Sequence, residues 1–177
     1  MLNDALYLRR IEEAFMALGI PQDYGIQRDL VPYPEASALI AVNETEPPKQ
    51  LAPEAVSRWY KLKQAAITDG IELLLISGFR SFDRQRQIIE TKLGKGQDIQ
   101  SVLKVMAAPG YSQHHTGLAL DIGTSGHVDL TEDFEGTDAF RWLTTRAKEF
   151  GFYMPYTRGN RFGFIYEPWH WALVELA

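Results

Sequence analysis

The sequence predicts an α+β fold: one domain, a mostly antiparallel sheet with helices packed on it. Three observations point there. The chain has 177 residues, 45% of them hydrophobic, which suits one ordinary domain with a continuous core. Helical and strand-like stretches follow one another without the strict alternation that builds a parallel sheet. The strand-like runs are short and apolar, and residues 118–122 alternate as a strand with one buried face does. Residues 1–50 read as an N-terminal helix and irregular wrapping, and 51–177 as the core of the same compact domain.

The elements can be justified in order. Leu8, Ile11, Phe15 and Leu18 fall at helical spacing, so residues 1–20 form an amphipathic helix lying on the domain. Prolines break up residues 21–53, which read as wrapping with a short strand at 37–42. Pro53 suits the first turn of a helix whose inner side Val56, Tyr60, Lys63 and Ile67 trace, and Asp69-Gly70 ends it. Residues 71–76 (IELLLI) read as a strand in a buried central position. A helix from about Ser81 to Leu93 follows, stopped by Gly94 and Gly96, and then a shorter one over 98–107. Thr137 caps a helix through Phe150, with Phe140, Leu143, Ala147 and Phe150 inward and Gly151 at its end. Residues 164–176 read as a pair of strands around Pro168.

Composition removes several classes of function. Basic residues number 18 against 23 acidic ones, a net charge of −5, and nucleic acid needs a basic surface. There is no cysteine, so any metal must rest on histidine and carboxylate. No run approaches the roughly 20 apolar residues of a membrane span. Asp4, Glu12 and Glu13 interrupt the start, unlike a secretory signal. The expectation is a cytoplasmic protein as written, or a periplasmic or exported one if the sequence is trimmed.

The chain has four histidines. His114 lies in the loop 109–117. In the strand after it Leu118, Leu120 and Ile122 face one way, Ala119 and Asp121 the other. A carboxylate opposite three aliphatics points into a cavity or water, and Ala119 leaves room for an ion. Taken alone, Asp121 equally prepares the turn at Gly123, and His114 is an ordinary loop histidine. Glu167 and His170 offer one base and one ligand within four residues. Catalytic zinc takes three such ligands and keeps a position for water, whose proton a nearby carboxylate accepts. Positions three apart face opposite sides of a straight strand, so Pro168 must bend the chain if both are to reach one metal.

Three blocks resemble the VanY-type D-alanyl-D-alanine carboxypeptidases, in the wider group with lysostaphin-type peptidases and the hedgehog signalling domain. They are Ser77-Gly78-Phe79-Arg80-Ser81 with Gln85; then Ser112-x-His114-x-x-Gly117-x-Ala119-x-Asp121; then Glu167-Pro168-Trp169-His170. The resemblance covers residues 51–174 and implies zinc on His114, Asp121 and His170, with Glu167 as catalytic base. It implies that Arg80 contacts the substrate's carbonyl oxygen or terminal carboxylate, and that Gln85 and Ser112 contact substrate. It also implies peptidoglycan stem peptides as substrate, losing a C-terminal D-alanine. A planar guanidinium suits a free carboxylate, which it can bind through two parallel hydrogen bonds. His115 is read as lying outside the ligand set, His127 as a loop residue, and Tyr156 and Arg158 as a polar loop over substrate.

The motifs encode neither D,D nor L,D specificity; the expected cytoplasmic location would favour recycled tetrapeptides, hence L,D. Two other readings stand beside this one: a cell-wall endopeptidase of the same group, and a non-catalytic zinc-containing binding module. Glu167 separates the last, since a purely structural site needs no base.

Overall fold

The structure, a computed structural model, describes residues 2–174, and side chains from Ala5 onward. Its helices are α1 (Leu2–Leu18), α2 (Tyr24–Gln27), α3 (Pro53–Thr68), α4 (Phe82–Gly94), α5 (Ile99–Val105) and α6 (Asp138–Arg146). Strands β1 (Ile40–Val42) and β2 (Lys49–Leu51) form a small antiparallel pair. Strands β3 (Leu74–Ser77), β4 (Ala119–Gly123), β5 (Phe152–Tyr153) and β6 (His170–Leu173) form the main sheet. Its order is β3-β4-β6-β5, with every neighbouring pair antiparallel.

One face of this sheet carries the main core. Leu75, Leu120, Ile122, Phe152 and Trp171 pack there with Trp59 and Leu62 of α3 and Leu143 of α6. A second cluster joins α1 to α4 and α5 through Ile11, Phe15, Phe82, Ile89, Val102 and Leu103. The N-terminal helix is therefore part of the packing that seats α4. A boundary at residue 50 falls inside β2, so the wrapping segment and the core share a strand pair.

The helix starts follow from local chemistry. Ser81 caps α4 by accepting the amide of Arg84, Asp98 caps α5 by accepting that of Ser101, and Thr137 caps α6 through Phe140. The last of these helices is shorter than expected: it ends at Arg146, and a 3₁₀ turn, Ala147–Phe150, carries the chain to Gly151 at φ +86°.

Four sequence expectations change. The inner face of α3 is Ala55, Trp59, Leu62 and Ala66; Tyr60 and Ile67 are exposed. Trp59 supplies the buried area, while the alanines let the helix approach closely. Lys63 turns outward to pair with Glu44 at 2.7 Å. On α1, Leu8 is 47% exposed, and Ala14 joins Ile11, Phe15 and Leu18 inside. Strand β3 lies at the sheet edge, not in its centre. The β1–β2 pair covers the chain just beyond that edge, where Phe79 donates its amide to the Gln50 carbonyl at 2.7 Å.

The expected pair of strands around Pro168 is one strand only. Backbone amides upstream of Pro168 are taken elsewhere, Ile165 by the Lys104 carbonyl and Glu167 by that of Tyr156, and β6 pairs with β5 instead. Leu176 lies outside the described residues.

Trp59→Ala should lower stability by about 3–5 kcal/mol in urea unfolding, the usual result of emptying a large core position. Tyr60→Ala should stay within about 1 kcal/mol of the native protein. Equal losses would mean that the helix face is assigned wrongly.

Candidate metal centre

The site begins with strand register. Asp121 of β4 stands directly opposite His170 of β6, and cross-strand partners hold their side chains about 5 Å apart on one face. On the other side of β4, Ser77 also faces Asp121, after an irregularity between Leu75 and Ser77 that redirects the chain into the loop carrying Gly78, Phe79 and Arg80. His114 comes from a 3₁₀ turn, Gln113–Thr116, just before β4.

Two glycines make this close approach possible. Gly117 has φ +67°, and a Cβ there would lie 2.8 Å from the Ala52 nitrogen. A Cβ on Gly78 would lie 2.5 Å from the Gln50 carbonyl oxygen. That tight passage puts the Gly78 carbonyl where the Nδ1–H of His114 donates to it, at 2.7 Å. In a neutral imidazole this leaves Nε2 as the nitrogen able to bind a metal, and it lies 3.3 Å from Asp121 Oδ2.

Ligand atoms of His114, Asp121 and His170 all lie within 4.8 Å of one another, and all three residues are buried. Two imidazoles and one carboxylate converging in this way fit a zinc ion by donor chemistry and by number. Burial raises the Asp121 carboxyl, but the charges and hydrogen bonds of His114 and His170 outweigh burial and hold it well below the usual carboxylate range. His170 has Nδ1 3.1 Å from Asp121 Oδ1, and its Nε2 lies 2.9 Å from the side-chain oxygen of Gln113.

Around this triad runs a cleft of about 280 Å³, lined among others by Arg80, Gln85, Ser112, Tyr156, Glu167 and Trp169. Glu167 is buried and sits 3.9 Å from His170 Nδ1. Burial and the nearby Asp121 charge push its carboxyl up to about 7, against the opposing pull of His170 and Arg80. Arg80 extends one guanidinium nitrogen to the Gln85 side-chain oxygen at 3.0 Å and another toward Asp121 Oδ2 at 3.9 Å. Gln85 is fully buried, and its amide also donates to the Ala107 carbonyl at 2.6 Å. Both ends of Gln85 are thus committed within the protein.

Two neighbours of His114 have roles that spacing did not reveal. His115 is fully buried, donates Nδ1–H to the Arg80 carbonyl at 2.6 Å and accepts the Gly110 amide on Nε2 at 3.0 Å. It ties the Arg80 loop to the 109–117 loop, and burial lowers its pKa to about 4, which keeps it neutral. Gln113 contacts His170 from behind. Tyr156 lies inside the cleft with its ring against His170, 4.8 Å between centroids. Arg158 turns away to Glu132 and Glu135, and His127 sits in a turn bridged to Thr124, remote from the ligands.

A family model described as VanY, D-alanyl-D-alanine carboxypeptidase, matches residues 48–176. The chain is 35% identical over 125 residues to YodJ of Bacillus subtilis (strain 168), covering 68% of this chain and 45% of that protein. It is 30% identical over 133 residues to VanXYC of Enterococcus gallinarum, a bifunctional D-Ala-D-Ala dipeptidase and carboxypeptidase, covering 71% of this chain and 68% of that one. The chain thus spans less than half the length of the Bacillus relative.

Among solved structures, the LD-carboxypeptidase LdcB matches with TM-score 0.66 and 32% identity, over 82% of this chain and 68% of that one. VanYB in complex with D-alanine-D-alanine matches with TM-score 0.67 and 25% identity, over 82% and 81%. A variant of the D,D-pentapeptidase VanY in complex with Zn(II) matches with TM-score 0.66 and 25% identity, over 81% and 83%.

The raised Glu167 pKa has a consequence for stability. A carboxyl whose folded pKa lies above its unfolded value favours the neutral form in the fold. Stability is then full below the unfolded pKa and lost as pH rises toward about 7. In the metal-free protein, Glu167→Gln should therefore match the native chain at pH 4 and exceed it at pH 8, by on the order of 3 kcal/mol at most. Thermal unfolding after chelation at the two pH values checks this; an equal difference at both would deny the shift.

Proposed function

Because the chain belongs to the VanY family of D-alanyl-D-alanine carboxypeptidases, we propose that it is a zinc carboxypeptidase removing the C-terminal D-alanine of peptidoglycan-derived peptides. One observation carries the reading. A buried His114–Asp121–His170 triad shares its cleft with a buried carboxylate, Glu167, and a guanidinium, Arg80. The reading also rests on relatives and structural neighbours that are carboxypeptidases, one holding Zn(II) and one D-alanine-D-alanine.

His114, Asp121 and His170 would hold the zinc, which supplies a Lewis acid that polarises a carbonyl and acidifies a water. Glu167 is the group to take that water's proton and deliver it to the leaving amine. Its burial beside Asp121 in the metal-free cleft raises its proton affinity, which suits a group that must take up a proton and release it again. Arg80 presents positive charge beside the triad, for the substrate's carbonyl oxygen or its terminal carboxylate. Gln85 holds the guanidinium in place, so we assign it a positioning role. Ser112 lines the cleft next to the 3₁₀ turn and is assigned to substrate contact.

Zinc stoichiometry and digestion of defined stem peptides, with products weighed, test the reading directly. Release of D-alanine from a peptide ending in D-Ala-D-Ala or in an L-residue followed by D-alanine supports it, and decides between D,D and L,D cleavage. Internal cleavage would favour the endopeptidase alternative, and zinc binding without any cleavage the binding module.

Glu167→Gln should retain zinc while kcat falls by roughly 10²–10⁴-fold, as expected for loss of a general base. Zinc loss in that variant would instead make Glu167 a ligand. If Arg80 reads the terminal carboxylate, amidating the substrate should lower kcat/KM about ten- to a hundredfold, the value of a charged hydrogen bond of about 1.5–3 kcal/mol. Arg80→Lys should then discriminate less between free and amidated peptides. Loss of turnover equal on both substrates would assign Arg80 to the carbonyl oxygen alone.

A further inference from the structure

His170 meets an oxygen on both sides of its ring. Asp121 Oδ1 lies 3.1 Å from Nδ1, and the Gln113 side-chain oxygen lies 2.9 Å from Nε2. A neutral imidazole carries one proton, and the nitrogen without it is the one able to bind a metal. Nδ1 is the nitrogen on the Asp121 side, so a metal bound there requires the proton on Nε2. An acceptor at Nε2 favours that tautomer before a metal arrives.

Gln113 is such an acceptor, and its orientation is supported from behind. Its side-chain NH₂ donates to the Tyr153 hydroxyl at 3.3 Å, and only 9% of the residue is exposed. The backbone at this point is held as well, since Thr116 donates its hydroxyl to the Gln113 carbonyl at 2.7 Å. The other histidine has a different partner for the same purpose: His114 donates Nδ1–H to a backbone carbonyl that no side-chain substitution removes. The tautomer of His170, by contrast, is favoured by one replaceable amide.

We propose that Gln113, steadied by Tyr153, is a positioning residue that fixes His170 in its Nε2–H tautomer and so sets the zinc affinity of the site. The proposal rests on the zinc reading of the triad and concerns a residue that touches neither metal nor substrate. A hydrogen-bonded partner behind a ligating histidine typically changes metal affinity by roughly 10–100-fold. Loss of the Tyr153 hydroxyl leaves the Gln113 oxygen in place, so it should matter less than loss of Gln113 itself.

The test is zinc affinity by competition with a calibrated chelator, in the native chain, Gln113→Leu, Gln113→Glu and Tyr153→Phe. Gln113→Leu should bind zinc about 10–100-fold more weakly. Gln113→Glu restores an acceptor and should recover most of that loss, and Tyr153→Phe should cost a few-fold. Nitrogen-15 shifts of His170 in the zinc-loaded native chain should report the proton on Nε2. Because Gln113 adjoins His114, thermal stability of each metal-free variant is measured in parallel. Native-like zinc affinity in Gln113→Leu would overturn the proposal, whatever its metal-free stability. So would Gln113→Glu binding as weakly as Gln113→Leu, or a His170 proton on Nδ1. A native chain that binds no zinc would remove the site reading and this proposal together. Zinc bound as described without release of D-alanine would leave the proposal standing and remove only the proposed activity.

Discussion

The antiparallel register that sets Asp121 against His170 is the constraint on which the rest of the site depends. Side chains alternate along a strand, so a slip of one residue between β4 and β6 would turn Asp121 into the main core and leave a ligand unmatched. The opposite face of the same strand prevents that slip. Leu120 and Ile122 are fully buried in the main core, and exposing them would cost about 1.5–3 kcal/mol each. The hydrophobic face of β4 thus holds the polar face in register, and Asp121 is positioned by leucine and isoleucine.

His114 and Arg80 lie outside the sheet and need a different support, which comes largely from chain upstream of α3. Tyr33 donates its amide to the Gly110 carbonyl, Ala36 to that of His115, and Ala52 to that of Gly117. Glu35 accepts the amide of Phe82 at 2.8 Å, at the head of the helix that carries Gln85. Arg10 of α1 joins the same corner through Glu35 and Asp83. These contacts fall on the two loops that carry the candidate site. Chain outside the family match, through Arg10, Tyr33, Glu35 and Ala36, is thereby part of the scaffold that holds His114 and Arg80.

The resemblance singled out His114, Asp121 and His170, which spacing alone left open, and the structure brings the three together; the blocks that carry it are local, a histidine, a glycine and an aspartate at short spacing into an alternating strand, then Glu167 and His170 around a proline. Helix starts at Ser81, Asp98 and Thr137 were legible for the same reason, since each cap acts on its own next turn. What depended on distant partners was not. The inner face of α3, Ala55, Trp59, Leu62 and Ala66, has helical spacing, but Val56, Tyr60 and Ile67 offer a competing apolar stripe, and packing alone decides between them. Gln113, His114 and His115 are adjacent, and nothing in their order shows that the first faces β6, the second the triad and the third the Arg80 carbonyl. The strand expected before Pro168 failed because Ile165 and Glu167 give their amides to distant carbonyls, as no local pattern predicts.

The electrostatics of the cleft divide two carboxylates that share it. Asp121 is wedged between two imidazoles that favour its charged form, and Glu167 is buried beside that charge, which favours its neutral form. Like charges in one buried site repel, so holding the first ionised is part of what raises the second. Environments that push two titratable groups apart separate their chemical tasks: the permanently charged one suits a cation, the one near neutrality suits proton transfer. Arg80 moderates the arrangement, since its guanidinium opposes the rise of Glu167 while standing close to Asp121. Its placement by Gln85, and that of Gln85 by the Ala107 carbonyl, carries this balance back into the second hydrophobic cluster, where Phe82 and Ile89 of α4 are buried. The electrostatic difference between the two acids is therefore a property of the packing around α4 as much as of the residues in the cleft.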